Sequence, residues 1–144
     1  MHFDLVDAVI ERSGEGGGRI VTVKQVSAAE EYLRDHFPGF PVLPGVMMIE
    51  AMVQAARRLV GGERPARLVL GVVRGVKYGR FVKPGEVLRV EVSLVRTGDD
   101  GSIEFRGEGT VVRPGGPAGD AGAPTAVSGR FTLRPVRLGR GDAA

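Results

Sequence analysis

His36-Phe37-Pro38-Gly39-Phe40-Pro41-Val42-Leu43-Pro44-Gly45 runs straight into Val46-Met47-Met48-Ile49-Glu50-Ala51-Met52-Val53-Gln54-Ala55-Ala56. The first ten residues hold three prolines and two glycines. Proline fixes φ, while glycine permits unusual dihedrals or a close approach, so this is a rigid loop with deliberate turns. Pro44 and Gly45 stand where a helix begins, and Gly61-Gly62 where it ends. The pattern predicts a helix over Val46 to Val60. That helix is apolar nearly all the way round and asks for burial on every side. A single flat sheet covers one face only, so the expected partner is a highly curved antiparallel sheet wrapped around one central helix, an α+β class.

Working outward, the flanks supply strands. Arg19 to Val26 alternates and is rich in β-branched residues. Before it, Phe3 to Glu11 fits a first strand or a short helix, and Ser13 to Gly18 is a glycine-rich turn. Ser27 with Glu30 forms a capping signal for a short helix up to Asp35. After Pro65 the chain is β-rich. Arg67 to Val82 reads as one long or broken strand. Lys83-Pro84-Gly85-Glu86 is a turn, Val87 to Arg96 alternates, Gly98 to Gly101 turns, and Ser102 to Arg113 is the next strand. Pro114 to Pro124 is low in complexity and reads as a mobile hairpin loop. Thr125 to Val136 is the last strand. The expectation is one domain over 1–137 with a disordered tail at 138–144.

Composition removes several function classes. With no cysteine there is no disulfide framework or thiolate chemistry, and two widely separated histidines argue against a histidine-based zinc site. No apolar run approaches a membrane span, and the N-terminus lacks a basic leader region, so the expected location is the cytoplasm. The net charge of +3 comes without a long basic run and with only 6% aromatics. That argues against nucleic-acid binding and fits an acidic protein partner better.

The candidate chemistry centres on Glu50. It sits among Ile49 and Ala51, where an ionised carboxylate is costly, so it should be hydrogen-bonded or partly neutral. Gln54 lies one turn later on the same face and Arg57 follows at about the same angle. By itself this stripe reads as the solvated face of a helix. His36, by itself, reads as a surface residue, as does His2 near the terminus. The rigid loop between His36 and Glu50 changes the weighing. Gly45 presents a bare N–H at the positive end of the helix dipole, suited to a developing oxyanion. A base, an acid and such a donor suit proton removal beside a carbonyl.

HFPGFPVLPGVMMIEAMVQAA, residues 36–56, closely resembles the motif of the β-hydroxyacyl–acyl-carrier-protein dehydratases of hot-dog fold. Those enzymes share His-Phe-Pro-Gly-x-Pro-x-x-Pro-Gly-Val, a Glu fourteen residues after the His and a Gln four further on, as here. GVKYGRFVKPGEVLRVEV, residues 75–92, is similar to a second family segment. The chain departs from the family in its shorter opening and in GGERPARLVLG, which has no aromatic pair to gate an acyl tunnel.

The resemblance implies a 3-hydroxyacyl thioester carried on phosphopantetheine, and no bound cofactor or metal. It implies that His36 removes the C2 proton and Glu50 protonates the departing hydroxyl. Gly45 N–H would polarise the thioester carbonyl, the Val42 carbonyl would orient the imidazole, and Gln54 would position Glu50. It further implies an acyl carrier protein as partner and a homodimer sharing its sites, with hexamers in some members. Arg80 and Lys83, with Arg57 and Arg58 at the far end of the helix, are the candidate docking cations. Two other readings stand beside dehydration: a hot-dog acyl-coenzyme A thioesterase, and a non-catalytic acyl-binding protein. A binding module has no reason to bury an acid beside its ligand, which favours an enzyme.

Overall fold

The computed structural model describes residues 4–13, 18–27, 42–61, 68–113 and 123–136. The described elements are β1 (Ala8–Ser13), β2 (Arg19–Gln25), α1 (Gly45–Gly61), β3 (Leu68–Tyr78), β4 (Val87–Thr97), β5 (Ile103–Val112) and β6 (Thr125–Pro135). The strands form one sheet in the order β1-β2-β4-β5-β6-β3. Every neighbouring pair is antiparallel. Helix α1 packs across one face of this sheet, against β2, β4 and β5 above all. This is the hot-dog fold.

Alternation decides which residues meet the helix. On β4, Leu88, Val90 and Val92 are fully buried, while Arg89, Glu91 and Ser93 between them point the other way. On β5 and β6 the inward set includes Phe105, Val111, Val127, Phe131 and Leu133. Phe105 and Phe131 lie opposite each other and stack with centroids 5.4 Å apart. From α1 come Met48, Ala51, Met52, Val53, Ala55, Ala56 and Leu59. The helix approaches the sheet closely at Gly107, where an added Cβ would stand 2.5 Å from Met52 Sδ. Burial of the helix is one-sided, contrary to the sequence expectation. Val46 is 69% exposed, and Glu50, Gln54 and Arg57 are half-buried on the face away from the sheet.

The sequence order suggests consecutive antiparallel strands after the helix, but β3 breaks that order. It lies beyond β6 at the sheet edge, not beside β4. The hydrogen bonds of the β3–β4 connection show why. Gly79 and Arg80 donate to Ala126 and Thr125, so the chain leaves β3 along β6. The Val82 carbonyl then accepts from Leu43 N–H, and Gly85 N–H donates to Val26 at the end of β2. The connection therefore crosses the end of the sheet past the start of α1. The short turn of residues 98–102 keeps β4 and β5 adjacent, while residues 79–86 carry the chain from one side of the sheet to the other. The Pro84-Gly85 turn forms as expected, closed by Glu86 N–H to the Lys83 carbonyl at 3.0 Å. The first strand is a strand, over Ala8–Ser13. The expected short helix up to Asp35, most of the 114–124 loop and the 138–144 tail lie outside the described residues. No helix among the described residues is long and apolar enough to cross a membrane.

Candidate active site

Val42, Leu43 and Pro44 are buried as the chain enters α1. Leu43 N–H is anchored on the Val82 carbonyl at 2.9 Å, which ties the helix start to the β3–β4 connection. The Pro44 carbonyl accepts from Met47 and Met48, at 3.0 and 3.2 Å, and so caps the first turn. Gly45 is the first helical residue, and the fold gives its N–H no acceptor within the helix. No acceptor for it occurs among the described residues. An added Cβ would stand 2.8 Å from Tyr78 Cε1, so any side chain here requires the tyrosine ring to move. Tyr78, at the end of β3 and 53% exposed, thus covers the helix start from the sheet edge.

One turn and a half along α1, Glu50 is half-buried rather than enclosed. Gln54 Nε2 donates to Glu50 Oε2 at 3.5 Å, a long contact. Gln54 Oε1 in turn accepts Leu5 N–H at 2.7 Å. The amide is therefore oriented by backbone on one side and offers its donor to the carboxylate on the other. This is the arrangement the i, i+4 spacing predicts. The role of Leu5 has no sequence signal, because a backbone donor leaves none.

The four docking candidates do not form one cluster. Arg80 and Lys83 lie on the connection that passes the start of α1. Arg57 and Arg58 stand twelve residues beyond Gly45, about 18 Å along the helix at 1.5 Å per residue. Arg57 Nε donates to the Leu68 carbonyl at 3.1 Å and fastens α1 to the start of β3. Arg58 is exposed and lies 3.9 Å from Asp4. Arg80 is drawn in by Glu86, at 3.6 Å, and Lys83 is exposed. No sequence pattern marks Glu86. Only 8% exposed, it accepts Lys83 N–H at 2.8 Å and Arg113 Nε at 3.2 Å, and holds the turn together. His36 lies outside the described residues, as does its loop up to Pro41.

A sheet with one helix laid across it, and a helix N-terminus beside a carboxylate, define a hot-dog protein with a polar site at the helix start. The FabA-like domain family matches residues 1–113, and the chain belongs to that family. The 3-hydroxyacyl-[acyl-carrier-protein] dehydratase FabZ of Bacillus pumilus is 39% identical over 97 residues, covering 65% of this chain and 66% of that protein. The enzyme of the same name from Ruminiclostridium cellulolyticum is 38% identical over 120 residues, covering 74% of this chain and 83% of that protein. The chain thus spans just under two thirds of the first relative and more of the second. A Thermus thermophilus protein of the thioesterase superfamily has a similar structure, with a TM-score of 0.64 and 19% identity. The match covers 92% of this chain and 91% of that one. At that identity the likeness speaks for the fold alone, and the fold by itself does not choose between elimination and thioester hydrolysis.

Proposed function

We propose that this chain is a 3-hydroxyacyl-[acyl-carrier-protein] dehydratase serving fatty acid or related lipid synthesis. The observation that carries the reading is the first two turns of α1: a Gly45 N–H at the start with no acceptor among the described residues, and a Glu50 carboxylate held by Gln54 further along. In the proposed reaction the thioester carbonyl oxygen accepts from Gly45 N–H, which lowers the cost of removing the C2 proton. His36 takes that proton, with its ring oriented by the Val42 carbonyl. The C2 electron pair forms the C2–C3 double bond and the C3–O bond breaks. Glu50 gives its proton to the leaving hydroxyl, which departs as water. The product is the trans-2-enoyl thioester, and no cofactor takes part beyond the pantetheine arm that carries the substrate.

The assembly follows from an edge. β3 lies at the side of the sheet, and Leu70, Val72, Val73 and Tyr78 are 38%, 51%, 36% and 53% exposed there. An open apolar strand edge is a pairing site, so a homodimer through β3 with sites shared between chains is part of the proposal. Lys83, exposed beside the helix start, is the cation placed to meet an acidic carrier protein.

The test is the mass of a 3-hydroxyacyl carrier protein after incubation with the enzyme. Loss of one water is the expected result, and release of the bare carrier thiol would make the chain a thioesterase instead. Run against salt and with Lys83→Glu, the same assay should show kcat/KM falling in both cases. A short pantetheine substrate should feel neither change, since screening acts over roughly 8–10 Å on charged surfaces.

A further inference from the structure

The face of the sheet turned away from α1 carries a row of arginines in direct register. Arg74 on β3 faces Arg130 on β6, and Arg130 faces Arg106 on β5. Adjacent strands lie about 4.8 Å apart, so the row sets three guanidinium side chains across roughly 10 Å. It continues through Ser93 on β4 to Arg19 on β2. Like charges directly opposite one another destabilise a sheet. Here carboxylates quench them only in part. Arg19 is committed to Glu91 at 2.8 Å and Glu11 at 2.7 Å. Arg130 reaches Glu104 at 3.7 Å, but that carboxylate already holds Arg96 at 3.0 Å. Arg74, Arg106 and the neighbouring Lys77 have no acidic partner among the described residues.

These cations share one concavity. A groove of about 660 Å³ is lined by Arg74, Lys77, Arg106 and Arg130, with Ser93 and Ser128 adding hydroxyls. Two acids also line it. Glu91 is taken up by Arg19, and Glu108 stands one row along, opposite Ser128 and next to Glu91. The volume is that of a small-molecule site. Guanidinium forks bind phosphate oxygens in pairs, which a row of lysines would not do as selectively. A line of them across two strand spacings matches an extended anion better than a single phosphate.

We propose that this groove binds a chain of linked phosphates, either the di- or triphosphate of a nucleotide or free polyphosphate. The anion would neutralise three side chains that the fold itself leaves facing one another. The groove lies on the sheet face opposite α1, so the proposal stands apart from the dehydratase reading.

The test is titration calorimetry on the intact protein at fixed ionic strength, with inorganic phosphate, tripolyphosphate and ATP as probes. Tripolyphosphate should bind at least about tenfold more tightly than phosphate. The double variant Arg106→Gln/Arg130→Gln should weaken it by roughly tenfold or more, while Arg134→Gln, on the same face but outside the groove, should change it by less than about twofold. ATP binding more tightly than tripolyphosphate would identify a nucleotide as the source, and the reverse order free polyphosphate. Amide shifts at Gly107 and Gly129 on adding tripolyphosphate give a second readout that needs no variant. Equal affinity for phosphate and tripolyphosphate, unmoved Gly107 and Gly129 amides, or an Arg134→Gln loss as large as that of the double variant would each overturn the proposal.

Discussion

Arg106 and Gly107 are neighbours on β5, yet they face opposite sides of the sheet and answer to different physics. Gly107 looks toward α1, where even a methyl group would strike Met52. Arg106 looks away, opposite another arginine, and makes no ion pair among the described residues. On the helix side, identity is dictated by volume: the interior is close-packed and each position has little freedom. On the outer side, volume decides nothing and charge decides a little. An unfavourable row of charges survives there because its cost is small, a few tenths to about 1 kcal/mol per pair. The lesson is that the inner face explains the fold, while the outer face must be explained by what it meets.

Three experiments would break or sharpen this contrast, in falling order of effect. The largest is expected at the helix start. Gly45→Ala places a methyl group against the Tyr78 ring and would push the proposed oxyanion donor aside. Displacing a catalytic group by about an ångström costs roughly 10²-fold in rate. Turnover should drop by about that much, and Tyr78→Ala in the same chain should recover part of it. If Gly45→Ala is fully active, the helix start is not the carbonyl site.

Next comes packing. Gly107→Val must force Met52 away and should destabilise the protein by about 1–3 kcal/mol, read from denaturant unfolding. The outward neighbour, Arg106→Gln, should be neutral or slightly stabilising in the same experiment. Equal losses at the two positions would erase the distinction between the faces.

The smallest effect belongs to an outer-face ion pair. The Arg19 hydrogen bond holds the Glu91 carboxyl below its ordinary value of 4.5, against the opposing pull of partial burial. A depressed carboxylate pKa contributes stability above the unfolded value, and that contribution fades as pH falls through the folded one. Both side chains are about a third exposed, so the pair is worth less than about 1 kcal/mol. Glu91→Gln should therefore lower stability slightly at neutral pH, and the gap to wild type should close on acidification below 4.5. A gap that widened toward acid pH would contradict the sign.

The two faces also differ in how far the sequence discloses them. The alternation of Val87 to Arg96 and the apolar run of α1 predict their elements closely, because burial writes a periodic pattern. Glu50 and Gln54 follow from helical spacing, and their hydrogen bond follows with them. The sequence of β1 fits strand and helix alike, for a physical reason: as an edge strand it is exposed at every residue and carries no burial pattern. The position of β3 beside β6 was not legible, since hydrophobicity marks a strand without marking its neighbour. The register that aligns Arg74, Arg130 and Arg106 is hidden for the same reason. Arg57, a candidate docking cation, also holds the Leu68 carbonyl, a backbone partner no residue pattern announces. The motif covering residues 36–56 pointed to the family, and the FabA-like match over residues 1–113 bears that out.

The most direct test mixes two inactive chains. His36→Ala removes the proposed base and Glu50→Gln the proposed acid, and each should lose roughly 10²–10⁴-fold in dehydration of a 3-hydroxyacyl carrier protein. If each site draws His36 from one copy and Glu50 from the other, half the dimers formed on mixing are hybrids with one intact site. Dissociating and reassociating the two variants together should then restore roughly a quarter of wild-type activity. Near-normal turnover by either variant alone would contradict the acid–base assignment, and a mixture that forms hybrid dimers yet stays inactive would contradict the shared site.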